Sequence, residues 1–500
     1  MTKHTYPPFT IPGAYADMKH ICKEKLQALY GTKPPSPIME RLDAELSLMD
    51  RQNLSSIYML LHHLSVRLRE SGGKIGLRGT VGFTLISFLL GITDINPLPA
   101  HYRCPNCGYV AFVTKDSGFD LTQNTCPNCD ALLRSDGHDI PYETCMELAQ
   151  GKQVETVDIN VSASAWEKAV SFLVEFLGED RIACACEWNN PVCFMLLQEG
   201  MKFEDVTPII DMQSPVCGVR KQTVLPGYEL TPAFLRVILL PHDDYDRIRW
   251  LHRLTKTKPE NIDYSDPSIY KLFQNLDTCG IPCFSTDRSK EILQQLKDVQ
   301  FSDLIRICGM TCGSDVWENN GERFLQSHTF RDLISTRDDI FMTLRKHGIV
   351  SKTAQAVMEC VRKGKFCEDT VQNCKMTQQL LRAGVPAWYV EAMQKIHYLF
   401  PKAHAAHYAK IAATLAWFKV YYPNAFYHVS LAIMKAGELL QYSDEALKEK
   451  RKTLDNGDTY KEPDLEVIEL LLEARSRNIS LDGQGMYSAA KENEAITWIL

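Results

Sequence analysis

Two sets of residues in this sequence have the types and spacing of a chemical site. The first is Cys104-Pro-Asn-Cys107 with Cys126-Pro-Asn-Cys129, two C-x-x-C knuckles separated by eighteen residues. Each knuckle offers two thiolates, and two knuckles at this spacing supply the four ligands of a tetrahedral zinc site. A redox C-x-x-C is the rival reading, and duplication at ribbon spacing favours structural zinc over it. Four thiolates leave no coordination position open, so such a metal is structural, not catalytic. The second set lies on Val154–Val161, V-E-T-V-D-I-N-V. Its alternation places Val157, Ile159 and Val161 on one face and Thr156, Asp158 and Asn160 on the other. Metal-dependent nucleotidyl transfer is often built on such a strand, with carboxylates at i and i+2 aimed at the same ions. Asp158 is in place, but position i is Thr156, and Glu155 points to the opposite face. The strand is an active site, a former one or an ordinary strand; these residues alone leave that open.

Further candidates follow along the chain. Gly76–Leu85, G-L-R-G-T-V-G-F-T-L, reads as a glycine-rich turn entering an apolar helix, whose first N–H groups can bind a phosphate. A plain tight turn is the simpler account of the same residues. Leu235–Leu240 is apolar on both faces and reads as a buried strand, with His242-Asp243-Asp244 after it as either a metal cluster or a polar loop. Arg362-Lys363-Gly364-Lys365 is the clearest basic patch, although a solvated helix end also explains such a run. In Phe400–Tyr408, F-P-K-A-H-A-A-H-Y, His404 lies near an apolar stripe and reads as a half-buried histidine. No acid or cysteine nearby supports a metal shared by His404 and His407. Cys279/Cys283 and Cys308/Cys312 are i, i+4 pairs without ribbon partners and read as small buried hydrophobes.

The elements that must position these residues come next. Residues 1–35 are rich in proline and turn residues and read as a lead-in segment. Ser36-Pro37 is an N-cap followed by proline, with Ile38, Leu42, Leu46 and Met49 at helical spacing behind it. A second helix over about 55–69 stops at Gly72-Gly73. Residues 165–250 alternate helices with short strands, and from about 251 the chain is mainly helical. There a stripe of Tyr408, Ile411, Leu415, Phe418 and Tyr422 runs up to Pro423.

A chain of 500 residues is too long for one simple core, so several packed subdomains are expected. A net charge of −7 gives no global basic footprint, so any nucleic-acid contact rests on local patches. The N-terminus has no apolar signal segment, and the most apolar run, Val81–Ile92, is too short to span a bilayer. With no secretory signal, seventeen cysteines imply reduced thiols and a cytoplasmic location, with no membrane partner.

Taken together, these stretches resemble the polymerase core of PolC-type DNA polymerase III alpha subunits, the bacterial C family of replicases. Gly76–Gly82, G-L-R-G-T-V-G, is similar to the family's G-S-R-G-S-V-G phosphate turn. The likeness continues through Ile92–Tyr102, the two knuckles and Ser135–Thr144. It resumes at Pro241–Asp244, Gly280–Pro282, Phe301–Asn320, Arg337–Ile340, Val361–Lys365 and Phe400–Tyr408, covering roughly residues 20–435. It implies a helix-rich α+β fold: a palm of the polymerase-beta type with an inserted zinc ribbon, then a mainly helical fingers-like domain. The expected parts are 1–100 for the N-terminal helices and first part of the palm, 101–135 for the ribbon, and 136–250 for a shortened remainder of the palm. The fingers-like domain is expected over 251–430 and a helical tail over 431–500. The resemblance also implies nucleotide and phosphate contacts from Arg78, Gly79, Thr80, Lys402 and His404, and DNA contacts from Arg362, Lys363 and Lys365.

The departures from the family pattern matter as much. Its catalytic strand reads D-I-D-L-N where this chain has T-V-D-I-N, so Thr156 stands at the first acid and Asp158 keeps the second. Its third acid lies in K-L-D-I-L-G-H-D-D, here R-V-I-L-L-P-H-D-D, which puts Ile238 at that place. Only 44 residues separate Asp158 from Phe203, so a piece that helps hold the incoming nucleotide is expected to be missing. No exonuclease, PHP or OB domain is expected before residue 1, and the chain is expected to stop short of a duplex-binding domain. The implied function is a catalytically inactive, DNA-binding relative of the polymerase, on primer–template or single strands, with structural Zn. Alternatives are a non-enzymatic module that binds replisome proteins, or a residually active polymerase, for which alone Mg would be required.

Overall fold

The computed structural model describes residues 9–78, 82–145, 156–185, 192–224, 234–367, 370–454 and 463–481. The fold is helix-rich α+β, and the chain divides into two compact units, Met1–Tyr245 and Asp246–Leu500.

The first unit holds the strands. They are β1 (Ile75–Leu77), β2 (His101–Arg103), β3 (Val110–Phe112), β4 (Arg134–Asp136) and β5 (Thr156–Ser162). After these come β6 (Ile182–Cys184), β7 (Cys193–Leu197), β8 (Ile209–Val216), β9 (Val219–Thr223) and β10 (Phe234–His242). A seven-stranded mixed sheet runs in the order β1-β5-β10-β7-β6-β9-β8, and a three-stranded sheet in the order β3-β2-β4. β5 lies antiparallel to β1 and parallel to β10, which puts the most patterned strand of the sequence beside two partners. One face of β5 and β10 is closed by Val157, Ile159, Val161, Val237 and Leu239, all buried beneath helix Trp166–Leu177. Trp166 Nε1–H donates to Leu239 O at 2.9 Å and fixes that helix on the sheet. Each such side chain contributes roughly 1.5–3 kcal/mol on burial, which sets which face is inside.

Three sequence expectations are corrected here. Residues 1–35 are not only a lead-in: Ala14–Tyr30 is a helix whose Met18, Cys22, Leu26 and Tyr30 are buried at a strict four-residue spacing. Its proline-rich and glycine-rich surroundings masked that period. Ser36 is the first helical residue, with Pro35 at the cap position. Gly76 lies within β1, so the glycine-rich segment begins as an edge strand, because pairing with β5 outweighs glycine's weak strand preference.

The second unit is helical. Helix Lys402–Tyr421 is buried on almost every side, because seven of its residues are alanine and admit close neighbours all round. In place of the expected single stripe this is a core helix covered on most sides, in which Tyr408 is only half-buried, while Tyr422 just beyond its end is exposed. Lys419, fully buried on this helix, sits 3.0 Å from both Asp277 Oδ1 and Glu473 Oε1, tying helix Pro463–Ser476 to it. Of the other cysteines, Cys308 is buried as expected, whereas Cys279, Cys283 and Cys312 are half-exposed.

Candidate functional site

The palm-like face is set by strand register. Parallel pairing of β5 and β10 puts Thr156 level with Arg236 and Asp158 level with Ile238. On the other side, Arg78 N–H donates to Asp158 O at 3.0 Å, just beyond β1. Side chains on one face of a sheet recur every second residue. Thr156, Asp158, Asn160, Arg236, Ile238 and Arg78 therefore share the face opposite helix Trp166–Leu177. Arg236 Nε–H donates to Thr156 Oγ1 at 3.1 Å, so the hydroxyl already holds a cationic group. Ile238 packs against the apolar cluster of Cys193, Met195, Phe203 and Phe234. Burial pushes the Asp158 carboxyl above its ordinary range, and the charges of Arg78 and Arg236 offset only part of this. Asp158 Oδ1 and Asn160 Nδ2 are buried atoms without a hydrogen-bond partner.

The strand expected to be apolar on both faces is thus half-open on one of them, and Arg236 is the residue that sequence reasoning passed over. The signal was present: Arg236 and Ile238 are two apart on a strand, as Thr156 and Asp158 are. His242 closes β10, while Asp243 and Asp244 open the following helix, Asp243–Thr255. Among the described residues, only the four knuckle cysteines form a group of three or more His, Cys, Asp or Glu side chains able to share an ion.

The anion at the neighbouring helix start is internal. The backbone N–H groups of Leu85 and Ile86 donate to Glu45 Oε1 and Oε2 at 3.1 and 3.0 Å, and Thr84 Oγ1 takes the N–H of Ser87. Glu45 is fully buried and paired with Arg41 Nε at 2.5 Å. The first turn of helix Leu85–Leu89 is therefore capped by the protein itself and not open for phosphate. Gly79 and Thr80, named for that phosphate, lie outside the described residues.

The knuckles form one cluster. Cys104 follows β2 and Cys126-Cys129 precedes β4, and the four Sγ atoms lie within 4.8 Å of one another. Sγ pairs stand 3.5 Å apart for Cys104–Cys129 and for Cys107–Cys126, close to the roughly 3.8 Å edge of a tetrahedron with 2.3 Å Zn–S bonds. Backbone N–H groups of Asn106 and Cys107 donate to Cys104 Sγ, and that of Asn128 to Cys126 Sγ. Against desolvation, these N–H groups and the neighbouring sulfurs bring the Cys104 thiol down to about 6. The donor set fits a four-coordinate soft or borderline cation. Gly108 (φ 73°) packs so closely on Gly31 that a Cβ would lie 2.8 Å from the Gly31 Cα, which holds the first knuckle to helix Ala14–Tyr30. Behind it, Asn96 Nδ2–H donates to Tyr30 Oη and to Asp136 Oδ2, a buried support linking that helix to β4.

In the second unit the basic run ends helix Ser351–Arg362. Arg362 donates to Glu359 at 2.7 and 2.9 Å, Lys363 Nζ lies 3.5 Å from the same carboxylate, and Arg337 is 3.8 Å from it. Glu359, which the sequence reading did not single out, therefore offsets much of the patch, while Lys363 and Lys365 stay exposed. Gly364 (φ 62°) is required there, since a Cβ would meet His397 O at 2.7 Å. Arg337 N–H donates to Phe400 O, and Lys402 N–H to Asp338 Oδ2 at 2.8 Å, so Lys402 opens its helix beside this cluster. His404 is fully buried, not half-buried as expected: its ring stacks on Phe400 at 4.5 Å and lies 4.8 Å from Tyr408.

Comparison with known proteins agrees with this architecture. The model for the bacterial DNA polymerase III alpha NTPase domain matches residues 16–194, and that for the alpha-subunit finger domain matches residues 245–383. Both describe parts of one class of protein, the bacterial DNA polymerase III alpha chains. The DNA polymerase III PolC-type of Lacticaseibacillus paracasei is 32% identical over 83% of this chain and 33% of its own length. Those of Caldanaerobacter subterraneus subsp. tengcongensis and Thermotoga petrophila are each 30% identical, over 99% and 96% of this chain and 40% of their own. The chain belongs to the PolC-type DNA polymerase III family. It spans about a third to two fifths of the length of these relatives. No helix among the described residues is long and apolar enough to cross a membrane.

Proposed function

We propose that the chain is a DNA-binding palm-and-fingers protein that does not catalyse nucleotide transfer. The observation that carries this reading is the rung where Arg236 donates to Thr156, two residues from where Ile238 faces Asp158. Two-metal nucleotidyl transfer needs several anionic oxygens around hard divalent cations. This face offers one carboxylate whose charged form burial disfavours, one hydroxyl engaged by a guanidinium, and one isoleucine. That donor set does not fit a pair of Mg²⁺ ions. On this reading the first unit serves as the palm with its ribbon and the second as the fingers, in the parts set out from the sequence. The four cysteines hold Zn, which pins the ribbon to the palm. Exposed Lys363 and Lys365, with Arg362 and Lys402 behind them, supply the DNA-backbone contacts, in the cytoplasm. Each tenfold rate loss corresponds to ~1.4 kcal/mol of lost transition-state stabilisation, so loss of two acids removes several such factors.

Purified chain with primer–template, deoxynucleotides and Mg²⁺ or Mn²⁺ gives no extension on this reading. Extension that Asp158→Ala abolishes would refute it and favour a residual polymerase. A second reading, a module that binds replisome proteins without touching DNA, draws on Glu359 pairing with Arg362 and Lys363 of these cations and with Arg337. It gains if no DNA is retained at low salt.

A further inference from the structure

Three cysteines of the second unit converge outside the palm face, the ribbon and the basic run. Cys308 and Cys312 lie one turn apart on one face of helix Phe301–Cys312, and Cys283 sits in the turn before helix Asp287–Gln294. The Cys283 and Cys308 thiols are hydrogen-bonded to each other, and Cys312 is close enough for its charge to act on Cys308. Cys308 is fully buried, whereas Cys283 and Cys312 are half-exposed. Both members of the bonded pair are held in place. Ser289 Oγ–H donates to Cys283 O at 2.8 Å, and Thr286 caps helix Asp287–Gln294 by accepting from the Ser289 N–H. Gly309, next to Cys308, packs so closely on its neighbour that a Cβ would lie 2.5 Å from Ser335 O, which fixes the helix there. Cys283 has φ 66°, a left-handed backbone that glycine or asparagine adopts more readily than cysteine. Local preference therefore argues against a cysteine at this position, and the contact with Cys308 supplies a reason for one.

We propose that Cys283 and Cys308 are a peroxide-sensitive thiol pair that closes to a disulfide within the second unit. Half-exposed Cys283 meets the oxidant first. Burial holds the Cys308 thiol above its ordinary range, and its bond to Cys283 offsets part of this, so Cys308 serves as the resolving sulfur. The Cys283 thiolate attacks hydrogen peroxide, the O–O bond breaks, and a sulfenic acid and water form. The Cys308 sulfur then attacks the Cys283 sulfur. The S–S bond forms, the S–O bond breaks, and the hydroxide leaves as water with the Cys308 proton. Two electrons pass from the sulfurs to one peroxide, and a small thiol reverses the closure by exchange. Closure ties the turn around Asp277–Cys283 to helix Phe301–Cys312. That turn supplies Asp277 O and Cys279 O to buried Lys419, both at 3.0 Å, and Gly280 O to Arg247 at 2.7 Å. Lys419 in turn holds Glu473 of helix Pro463–Ser476, so the crosslink stiffens the seat of that helix. The pair is independent of the Asp158 face and of DNA binding.

The test is peptide mapping by mass spectrometry, without reductant, of the intact chain treated with hydrogen peroxide at a dose that releases no zinc. The expected result is a crosslink between the peptides of Cys283 and Cys308, placed on these two sulfurs by fragment ions and removed by dithiothreitol. Cys283→Ala and Cys308→Ala each abolish it, whereas Cys279→Ala and Cys312→Ala leave it in place. Melting curves of the reduced proteins establish that each variant is folded. Cys283→Ala, at a half-exposed position, carries the test alone if Cys308→Ala does not fold. The oxidised parent melts several degrees above the reduced one, and Cys283→Ala shows no such rise. Cys283 left as a thiol or taken to a sulfinic acid without a crosslink overturns the proposal. So does a crosslink that runs through Cys279 or Cys312 instead, or an oxidised parent that melts no higher than the reduced one.

Discussion

Arg236 donates to the Thr156 hydroxyl across the parallel β5–β10 ladder, two residues along from where Ile238 faces Asp158 on the same side of the sheet. The hydroxyl at the first acid's place is thus engaged by a cationic side chain, and the remaining acid stands among arginines and apolar groups. The account of this chain follows from that pair.

Asp158 sets a pH signature. Burial raises its carboxyl above the ordinary value, so the folded state binds the proton more tightly than the unfolded chain does. The ionised form therefore costs stability above the folded-state value, and that cost disappears below the unfolded one. Asp158→Asn should raise the melting temperature at pH 7 and leave it near the parent's at pH 3.5. A lower melting temperature at pH 7 would mean that Asp158 gains partners that this face does not show.

Glu45 is the structural acid of the first unit. Glu45→Ala strands the N–H groups of Leu85 and Ile86 and leaves Arg41 without its carboxylate, which costs about 3 kcal/mol or more in denaturant unfolding. Glu45→Gln, which keeps an acceptor, should cost less. Equal costs would show that packing, not the charge, matters at this position.

The ribbon should carry one zinc per chain by atomic emission. Cys126→Ser should lower that content well below one equivalent and drop the melting temperature by several degrees. Zinc retained at full occupancy in the variant would remove Cys126 from the ligand set.

DNA retention, where present, should fall steeply with salt. Lys363→Ala should weaken it alike for all sequences and reduce the log–log salt slope by about 1. Glu359→Gln should strengthen it, because that carboxylate pairs with Arg337, Arg362 and Lys363. A salt-insensitive interaction unchanged in both variants would turn the account toward a protein partner.

The strand that carries Asp158 was legible because alternation is local, and the knuckles because thiolate spacing is local. The side-by-side placement of β5 and β10 is a pairing across some eighty residues of chain, which no local pattern carries and the register shows. Arg236 was hidden because four of its five companions in Leu235–Leu240 are leucine or isoleucine and the fifth is valine, so composition masked its spacing. Glu45 could not be read at all, since a glutamate on a helix looks solvated until a chain segment forty residues away brings it backbone N–H groups. His404 followed the same logic: the alanines around it decide its burial, and no single wheel shows that all sides are covered.

The most direct measurement is Mn²⁺ binding to the purified chain by electron paramagnetic resonance, with Asp158→Ala as the reference. The account predicts identical free-Mn²⁺ signals for both proteins, because the palm face holds no divalent ion. One or two Mn²⁺ bound by the parent and released in Asp158→Ala would contradict it.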